Sequence, residues 1–136
     1  MEIKYKDFII SDDKFKIQIN KVCELLSSSY WAKDRQKETI EKSIKNSICF
    51  GVYKDDIQVG FARCVTDYAT VYWLADVIIN ECYQGLGLGK ALIDTIVNHI
   101  DLKGCFGILK TADAHNLYRK YGFELDSEKF MFKPKE

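Results

Sequence analysis

The segment QGLGLGKA, residues 84–91, holds the most chemically suggestive spacing in this chain. Three glycines stand at alternate positions, an apolar stretch precedes them and a helical pattern follows. A loop of this kind at the start of a helix presents unpaired backbone N–H groups, and its glycines let a phosphate approach the main chain. The alternative is a tight connection whose glycines only permit positive φ angles. The loop by itself leaves both interpretations open.

The sequence of this loop does not match two familiar phosphate-binding motifs. A Walker loop ending at Gly89 and Lys90 requires glycine at position 84 and a hydroxyl at position 91, where Gln84 and Ala91 stand. A dinucleotide fingerprint, G-x-G-x-x-G, that begins at Gly85 requires a third glycine at position 90, where Lys90 stands. One that begins at Gly87 requires it at position 92, where Leu92 stands. The sequence therefore disfavours a nucleoside triphosphate or a dinucleotide as the ligand.

The residues before the loop predict strands and helices that lead into it. Apolar alternation predicts an antiparallel hairpin at 49–65, with the turn at the polar residues KDD, and a third strand of the same meander at 71–79. A first strand at 7–11 and two amphipathic helices, at about 17–29 and 35–47, come earlier in the chain. Two helices thus precede the main sheet.

The residues after the loop complete a mixed layer. The predicted elements are a helix from Leu88 to about Gly104, a buried strand at 105–109, a helix at 114–122 capped by Gly122, and a closing strand at 123–133. On that closing strand Phe130 and Phe132 share one face. This order predicts an α/β fold in which a mixed, mostly antiparallel sheet is flanked by helices, within one domain that spans 1–136.

Two segments together resemble one family. The pattern Q-x-x-G-x-G, here Gln84, Gly87 and Gly89, is similar to the acyl-CoA pyrophosphate loop of the GNAT N-acetyltransferase superfamily. The later segment AHNLYRKYGF, residues 114–123, resembles that family's second motif, in which alanine is followed by tyrosine, a basic residue and Gly-Phe. The likeness covers essentially the whole chain. This chain has Glu81 and Thr111 where members of that family commonly have a proline and an asparagine. Neither difference removes a backbone N–H donor from the glycine loop.

The resemblance implies an acetyl-CoA-dependent N-acetyltransferase with the GNAT fold. It implies direct transfer of an acetyl group to a primary amine, supplied by a small molecule or a peptide, in a ternary complex without a metal. The alternative is a non-catalytic acyl-CoA-binding or protein-interaction module. By resemblance, Val77, Ile78 and Ile79 pair with the pantetheine arm, and the Ile79 N–H faces the thioester oxygen. The implied pyrophosphate donors are the backbone N–H groups of Gln84, Gly85, Leu86, Gly87, Leu88, Gly89 and Lys90.

Two residues are candidates for proton transfer. The family spacing makes Tyr118 the acid for the departing thiolate, because a phenol is neutral at pH 7 and can donate; the alternative is a packed aromatic. Asp76 lies in the apolar run LADVII, where a charged group must be paired, hydrated or functional. It is either the base that accepts the amine proton or a structural hydrogen-bonding residue.

Four residues are candidates for the acceptor site. Tyr30 and Trp31 join the two N-terminal helices, where the resemblance places the acceptor pocket, and they form either an aromatic wall or part of the core. Arg63 either neutralises a carboxylate of the acceptor or pairs with an acidic neighbour. His115 lies one turn before Tyr118 and either lines the pocket or caps the helix.

Composition limits the partners. The 20 basic and 20 acidic side chains balance, so no global field attracts nucleic acid. No apolar run approaches the ~20 residues of a membrane span, and we expect a soluble cytoplasmic protein. The five cysteines are scattered and form no metal or disulfide pattern, which predicts reduced core residues. An exposed C-terminal strand predicts a possible homodimer.

Overall fold

A six-stranded sheet forms the centre of the computed structural model, which describes residues 1–135. The strands lie side by side in chain order, every neighbouring pair being antiparallel except β5 and β6. The mixed, mostly antiparallel sheet predicted from the sequence is therefore confirmed. The strands are β1 (Glu2–Tyr5), β2 (Phe8–Ser11), β3 (Ile48–Lys54), β4 (Ile57–Thr66), β5 (Val71–Ile79) and β6 (Phe106–Leu109).

Four α-helices cover the two faces of this sheet. Short 3-10 turns at Lys14–Lys16 and Glu81–Tyr83 add to them. No helix within residues 1–135 is both long and apolar enough to cross a membrane. The helices are α1 (Ile19–Ser27), α2 (Lys37–Lys45), α3 (Leu88–Val97) and α4 (His115–Arg119).

The core has two parts, one on each face of the sheet. Alternate residues of β3 divide between them: Phe50 and Val52 pack with α3, whereas Cys49 packs with α1 and α2. This division follows from the period of two in a strand, which sends successive side chains to opposite faces. The apolar stripes of the helices supply the other half of each layer, as their periodicity predicts.

The N-terminal part of the sheet corrects one expectation. β1 and β2 form a hairpin that turns at Lys6, whose φ is 52°, and β2 pairs with β3. Both strands thus belong to the sheet and come before the two helices, so the helices do not precede the whole sheet. β1 is only four residues long, and three of its side chains are exposed, so its alternation of Ile3 and Tyr5 is too short for the sequence pattern to predict it.

The C-terminal part corrects three more expectations. α3 ends at Val97 rather than near Gly104, and Ile100 is largely exposed. β6 is an edge strand with Phe106 exposed, not a buried strand. Residues 123–133 form no strand; Phe130 stacks on Trp73 and on Phe132, and this aromatic packing accounts for the alternation. The predicted route to a homodimer therefore lacks its strand, and dimerisation stays a prediction.

Candidate active site

A gap in the sheet lies along the second half of β5. β6 pairs in parallel with Val71–Leu74 only, so residues 75–79 have no partner on that side. The unpaired segment includes Val77, Ile78 and Ile79, which are half-buried. An unpaired strand edge presents main-chain donors and acceptors that an extended ligand can pair with.

A β-bulge opens this gap. Two residues of β5, Asp76 and Val77, stand opposite the single residue Ala62 of β4. Asp76 has a φ of 55°, in the left-handed region that aspartate and asparagine tolerate better than most residues. Because a bulge bends its strand and re-aims the side chains, β5 changes direction at Asp76.

The glycine loop follows β5 directly. Asn80 accepts a hydrogen bond from the Cys82 N–H at 2.9 Å, and the Gln84 side-chain amide donates to the Ile79 carbonyl at 3.2 Å. Gly85 and Gly87 have φ angles of 81° and 84°, which require glycine in this turn. The loop therefore returns the chain from the end of β5 to the start of α3 in a fixed path.

The first turn of α3 has no side-chain cap. Its N-cap is Gly87, which has no side chain to cap the helix, and the first helical hydrogen bond runs from the Ala91 N–H to the Gly87 carbonyl. The N–H groups of residues 88–90 therefore have no acceptor within the helix. A Cβ atom at Gly89 would meet no atom within 4 Å. The protein's own packing therefore does not require glycine at this helical position. The open space is compatible with the approach of a phosphate group.

The N-terminal hairpin supports the loop from behind. The Tyr5 hydroxyl and the Lys6 ammonium both donate to the Leu86 carbonyl, at 3.0 and 2.9 Å. A Cβ atom at Gly87 would lie 2.4 Å from the Tyr5 hydroxyl oxygen, so Gly87 is also needed for this close approach. Sequence reasoning missed this support because the contacting residues are about 80 positions apart.

Tyr118 is a buried phenol on α4. Its ring packs edge-to-face on Phe123 with centroids 5.8 Å apart, and it is 9% exposed. Burial raises the pKa of Tyr118 to about 12, and the Asp113 carboxylate and the Tyr30 phenol act in the same direction. The hydroxyl is therefore protonated at neutral pH and is able to donate a hydrogen bond.

Asp76 is the centre of a charged cluster. Its Oδ2 accepts hydrogen bonds from Arg63 Nε at 2.6 Å and from Arg35 Nη1 at 2.7 Å, and its Oδ1 accepts from the Trp31 indole at 2.9 Å. Burial by itself raises the pKa of Asp76, but the hydrogen bond and charge of Arg63, the charge of Arg35 and the indole N–H outweigh it and hold the pKa below its ordinary value. The geometry favours the structural interpretation of this carboxylate, because both oxygens are engaged.

The structure brings together four of the six residues predicted for proton transfer and acceptor binding. Trp31, Arg63 and Asp76 are in direct contact, and Tyr30 packs edge-to-face on Trp31 with centroids 5.0 Å apart. His115 lies elsewhere, on a shallow groove of about 330 Å³. The groove is also lined by Asp113, Asn116, Arg119 and Leu125. Arg35 was not predicted, and its position in a charged loop gave no signal for it.

The structure places only two of the five cysteines in the core, which corrects the expectation that all five are core residues. Cys49 and Cys64 are buried, Cys23 and Cys105 are half-buried, and Cys82 is exposed. Burial raises the pKa of Cys49 to about 11, which keeps its thiol protonated. Within residues 1–135 no group of three or more His, Cys, Asp or Glu side chains is arranged to hold a metal ion.

Comparison with known families agrees with this geometry. Residues 45–125, which contain the meander, the glycine loop and α4, match the family model described as Acetyltransferase (GNAT) domain. The chain belongs to the GNAT family of N-acetyltransferases. A related sequence is the uncharacterized N-acetyltransferase ycf52 of Pyropia yezoensis, 32% identical over 96% of this chain and 79% of the relative. The chain spans only 61% of the ycf52-like protein of Prochlorococcus marinus.

Solved structures share the fold over nearly the whole chain. A GNAT-family protein from Xanthomonas campestris pv. campestris superimposes with a TM-score of 0.91 at 35% identity, covering 97% of this chain and 96% of its own. A GNAT acetyltransferase from Elizabethkingia anophelis, solved with acetyl-CoA bound, gives a TM-score of 0.68 at 17% identity over 90% of this chain and 79% of its own. This second likeness concerns the fold alone.

Proposed function

We propose that this GNAT protein transfers the acetyl group of acetyl-CoA to a primary amine by direct attack in a ternary complex. The observation that carries the proposal is the continuity of the free edge of β5 with the uncapped N-terminus of α3. The pantetheine arm of acetyl-CoA is extended, contains amides and leads to a pyrophosphate. These groups match, in order, the free strand edge and the free N–H groups of the helix. Leu86 and Leu88 are compatible with such a site, since the contacts come from the backbone.

The residues that hold acetyl-CoA in this proposal are the main chain of Val77, Ile78 and Ile79 and the N–H groups of residues 84–90. Acetyl-CoA supplies the activated acetyl thioester. The Ile79 N–H donates to the thioester oxygen and stabilises the negative charge that develops there. The open space at Gly89 admits the pyrophosphate to the helix terminus.

Tyr118 is the acid in this proposal. As the amine nitrogen bonds to the carbonyl carbon, the carbon–sulfur bond breaks and the sulfur takes the Tyr118 hydroxyl proton. The new amide loses its extra proton to water, and the phenolate regains a proton from solvent. With a pKa of about 12, the phenol carries its proton when the thiolate leaves. The raised pKa also makes Tyr118 a weaker acid than a free tyrosine, so its contribution depends on its position beside the leaving sulfur.

Asp76 is a positioning residue in this proposal. Its lowered pKa makes it a weak base at neutral pH, whereas its three hydrogen bonds fix Trp31 and Arg35 against Arg63 and the bulge of β5. Trp31 and Arg35 both come from the loop between α1 and α2, so the carboxylate ties that loop to the strand that holds the thioester. Tyr30 and Trp31 then form the aromatic wall of the acceptor pocket.

Ligand-induced stabilisation tests the cofactor. The melting temperature is measured with acetyl-CoA, with ATP and Mg²⁺, and with NAD at matched concentrations. A ligand at about 100 times its dissociation constant adds roughly 2.7 kcal/mol, which is several degrees for a domain of this size. A shift with acetyl-CoA alone supports the proposal; a shift with ATP or NAD instead refutes it.

Turnover tests the acid. Free CoA thiol is followed with a panel of amines for the wild type, Tyr118→Phe and Tyr53→Phe. The Tyr53 hydroxyl is buried without a hydrogen-bond partner within residues 1–135, so its removal controls for the loss of a buried phenol. We expect Tyr118→Phe to reduce kcat by about a hundredfold or more with unchanged acetyl-CoA affinity, and Tyr53→Phe to match the wild type. Equal rates for Tyr118→Phe and wild type would remove Tyr118 from the mechanism.

A further inference from the structure

The charged cluster around Asp76 is not neutral. One carboxylate oxygen accepts hydrogen bonds from two guanidinium groups, those of Arg35 and Arg63, and the other oxygen accepts from the neutral indole of Trp31. Arg63 also donates weakly to the Ser47 hydroxyl at 3.4 Å, which adds no charge. Two cations around one anion leave an excess of one positive charge.

This excess is accessible from solvent. The Asp76 side chain is 2% exposed, whereas those of Arg35 and Arg63 are 21% and 14% exposed. The carboxylate is therefore covered while the cations retain open surface. Arg35 uses Nη1 for its bond to Asp76, which leaves most of its five N–H donors for another acceptor.

Arg35 lies close to the acceptor side of the reaction centre. It follows Tyr30 and Trp31 in the loop between α1 and α2, and Trp31 shares the Asp76 carboxylate with it. Tyr30 packs on Trp31, and its phenol is near enough to Tyr118 to affect the pKa of that residue. Contacts thus run from the Arg35 guanidinium through Asp76 and Trp31 to Tyr30, whose phenol acts electrostatically on the acid.

We propose that Arg35 binds a carboxylate of the acceptor, so that the natural substrates are small amines that also carry a carboxylate group. The inference rests on the acetyl transfer proposed above. A guanidinium matches a carboxylate in shape and can hold it through two parallel hydrogen bonds. One excess positive charge balances one carboxylate, whereas a phosphate dianion would leave the site negative.

Matched acceptors test this substrate class. Each set contains an amino acid, its decarboxylated amine and its primary amide, for example tyrosine, tyramine and tyrosinamide, or lysine, cadaverine and lysinamide. The value of kcat/KM is measured at saturating acetyl-CoA. We expect the wild type to prefer the carboxylate-bearing member by about tenfold to a hundredfold, most of it in KM.

Variants of Arg35 separate recognition from folding. Arg35→Gln should reduce the preference to about one, because KM should rise more for the carboxylate-bearing amines than for their uncharged counterparts, and Arg35→Lys should keep part of the preference. Lys33→Gln, an exposed change in the same loop that removes the same charge, should keep the full preference. A purely structural role for Arg35 would instead raise KM for all members alike and leave the ratio unchanged.

The outcomes are distinguishable from failure of the acetyl transfer itself. Turnover with a preference near one in the wild type, or a preference that Arg35→Gln preserves, overturns the carboxylate proposal alone. Acetyl-CoA binding with no CoA release from any amine refutes the transfer reaction and this inference with it.

Discussion

Replacing the glycines of the glycine loop one at a time by alanine separates what the fold requires from what the proposed binding of acetyl-CoA requires. Gly89 lies in the first turn of α3, and a Cβ atom there would meet nothing within 4 Å. Gly89→Ala should therefore keep the stability of the protein or raise it by up to about 1 kcal/mol, because alanine has the higher helix propensity. The added methyl group would stand where the phosphate approaches, so acetyl-CoA affinity should fall at least about tenfold.

The other two glycines should give the opposite result. At Gly87 an alanine must adopt a φ near 84°, at about 1–2 kcal/mol. It must also displace the Tyr5 hydroxyl, which loses a hydrogen bond worth about 1 kcal/mol. The sum of about 2–3 kcal/mol lowers the melting temperature by roughly 6–15 °C for a domain of this size. Gly85→Ala has open space and should lose only the first of these amounts.

Urea unfolding without ligand and calorimetric titration with acetyl-CoA give the two readouts. The expected order of stability is Gly89→Ala at or above the wild type, then Gly85→Ala, then Gly87→Ala. If Gly89→Ala bound acetyl-CoA as tightly as the wild type, no phosphate would lie against the first turn of α3. If it unfolded at a lower urea concentration than Gly87→Ala, the steric argument itself would be wrong.

Three further predictions concern single side chains. Asp76→Asn should cost about 2–3 kcal/mol in urea unfolding at pH 7, less than a fully buried pair because both arginines keep contact with solvent. Since the folded pKa of Asp76 lies below its ordinary 3.8, that difference should persist from neutral pH to about pH 4 and shrink only as the pH falls through the folded pKa. Because the pKa of Tyr118 is about 12, its ionisation should cause no loss of kcat/KM below about pH 11. A fall in kcat/KM near pH 9 that is present in the wild type and absent in Tyr118→Phe would contradict this. Tyr5→Phe should weaken acetyl-CoA binding by about twofold to tenfold in calorimetry, because the loop loses one hydrogen bond while Lys6 still donates to Leu86. An unchanged affinity would mean that the Tyr5 hydroxyl does not support the loop.

Local patterns predicted the middle of the fold well and its ends poorly. β5 was expected at 71–79 and occupies those residues, because an apolar, β-branched run between turn residues suits only a buried strand. The alternation of Phe130 and Phe132 was misleading, since Phe130 stacks on Trp73 and Phe132 stacks on Phe130 without any strand pairing, and both rings stay exposed. An alternating pattern shows which side chains share an apolar face, but structures other than a strand can also have such a face.

The residues of the candidate site were likewise predicted only in part. The glycine loop could be predicted because its strand, turn and helix are contiguous in sequence. Asp76 could be singled out because a carboxylate in an apolar strand needs partners. Its partner Arg35 lies 41 residues away in a polar loop where every charge looks alike, so only the tertiary structure identifies it.

The support that the β1–β2 hairpin gives to the glycine loop affects when the site can form. Tyr5 and Lys6 leave the ribosome about 80 residues before Leu86 does, and at typical rates of synthesis that interval lasts several seconds or more. The hairpin must wait for α3 before its donors find their carbonyl. Under the proposed function, acetyl-CoA therefore binds a loop whose support is complete only after the first strands and the third helix have come together.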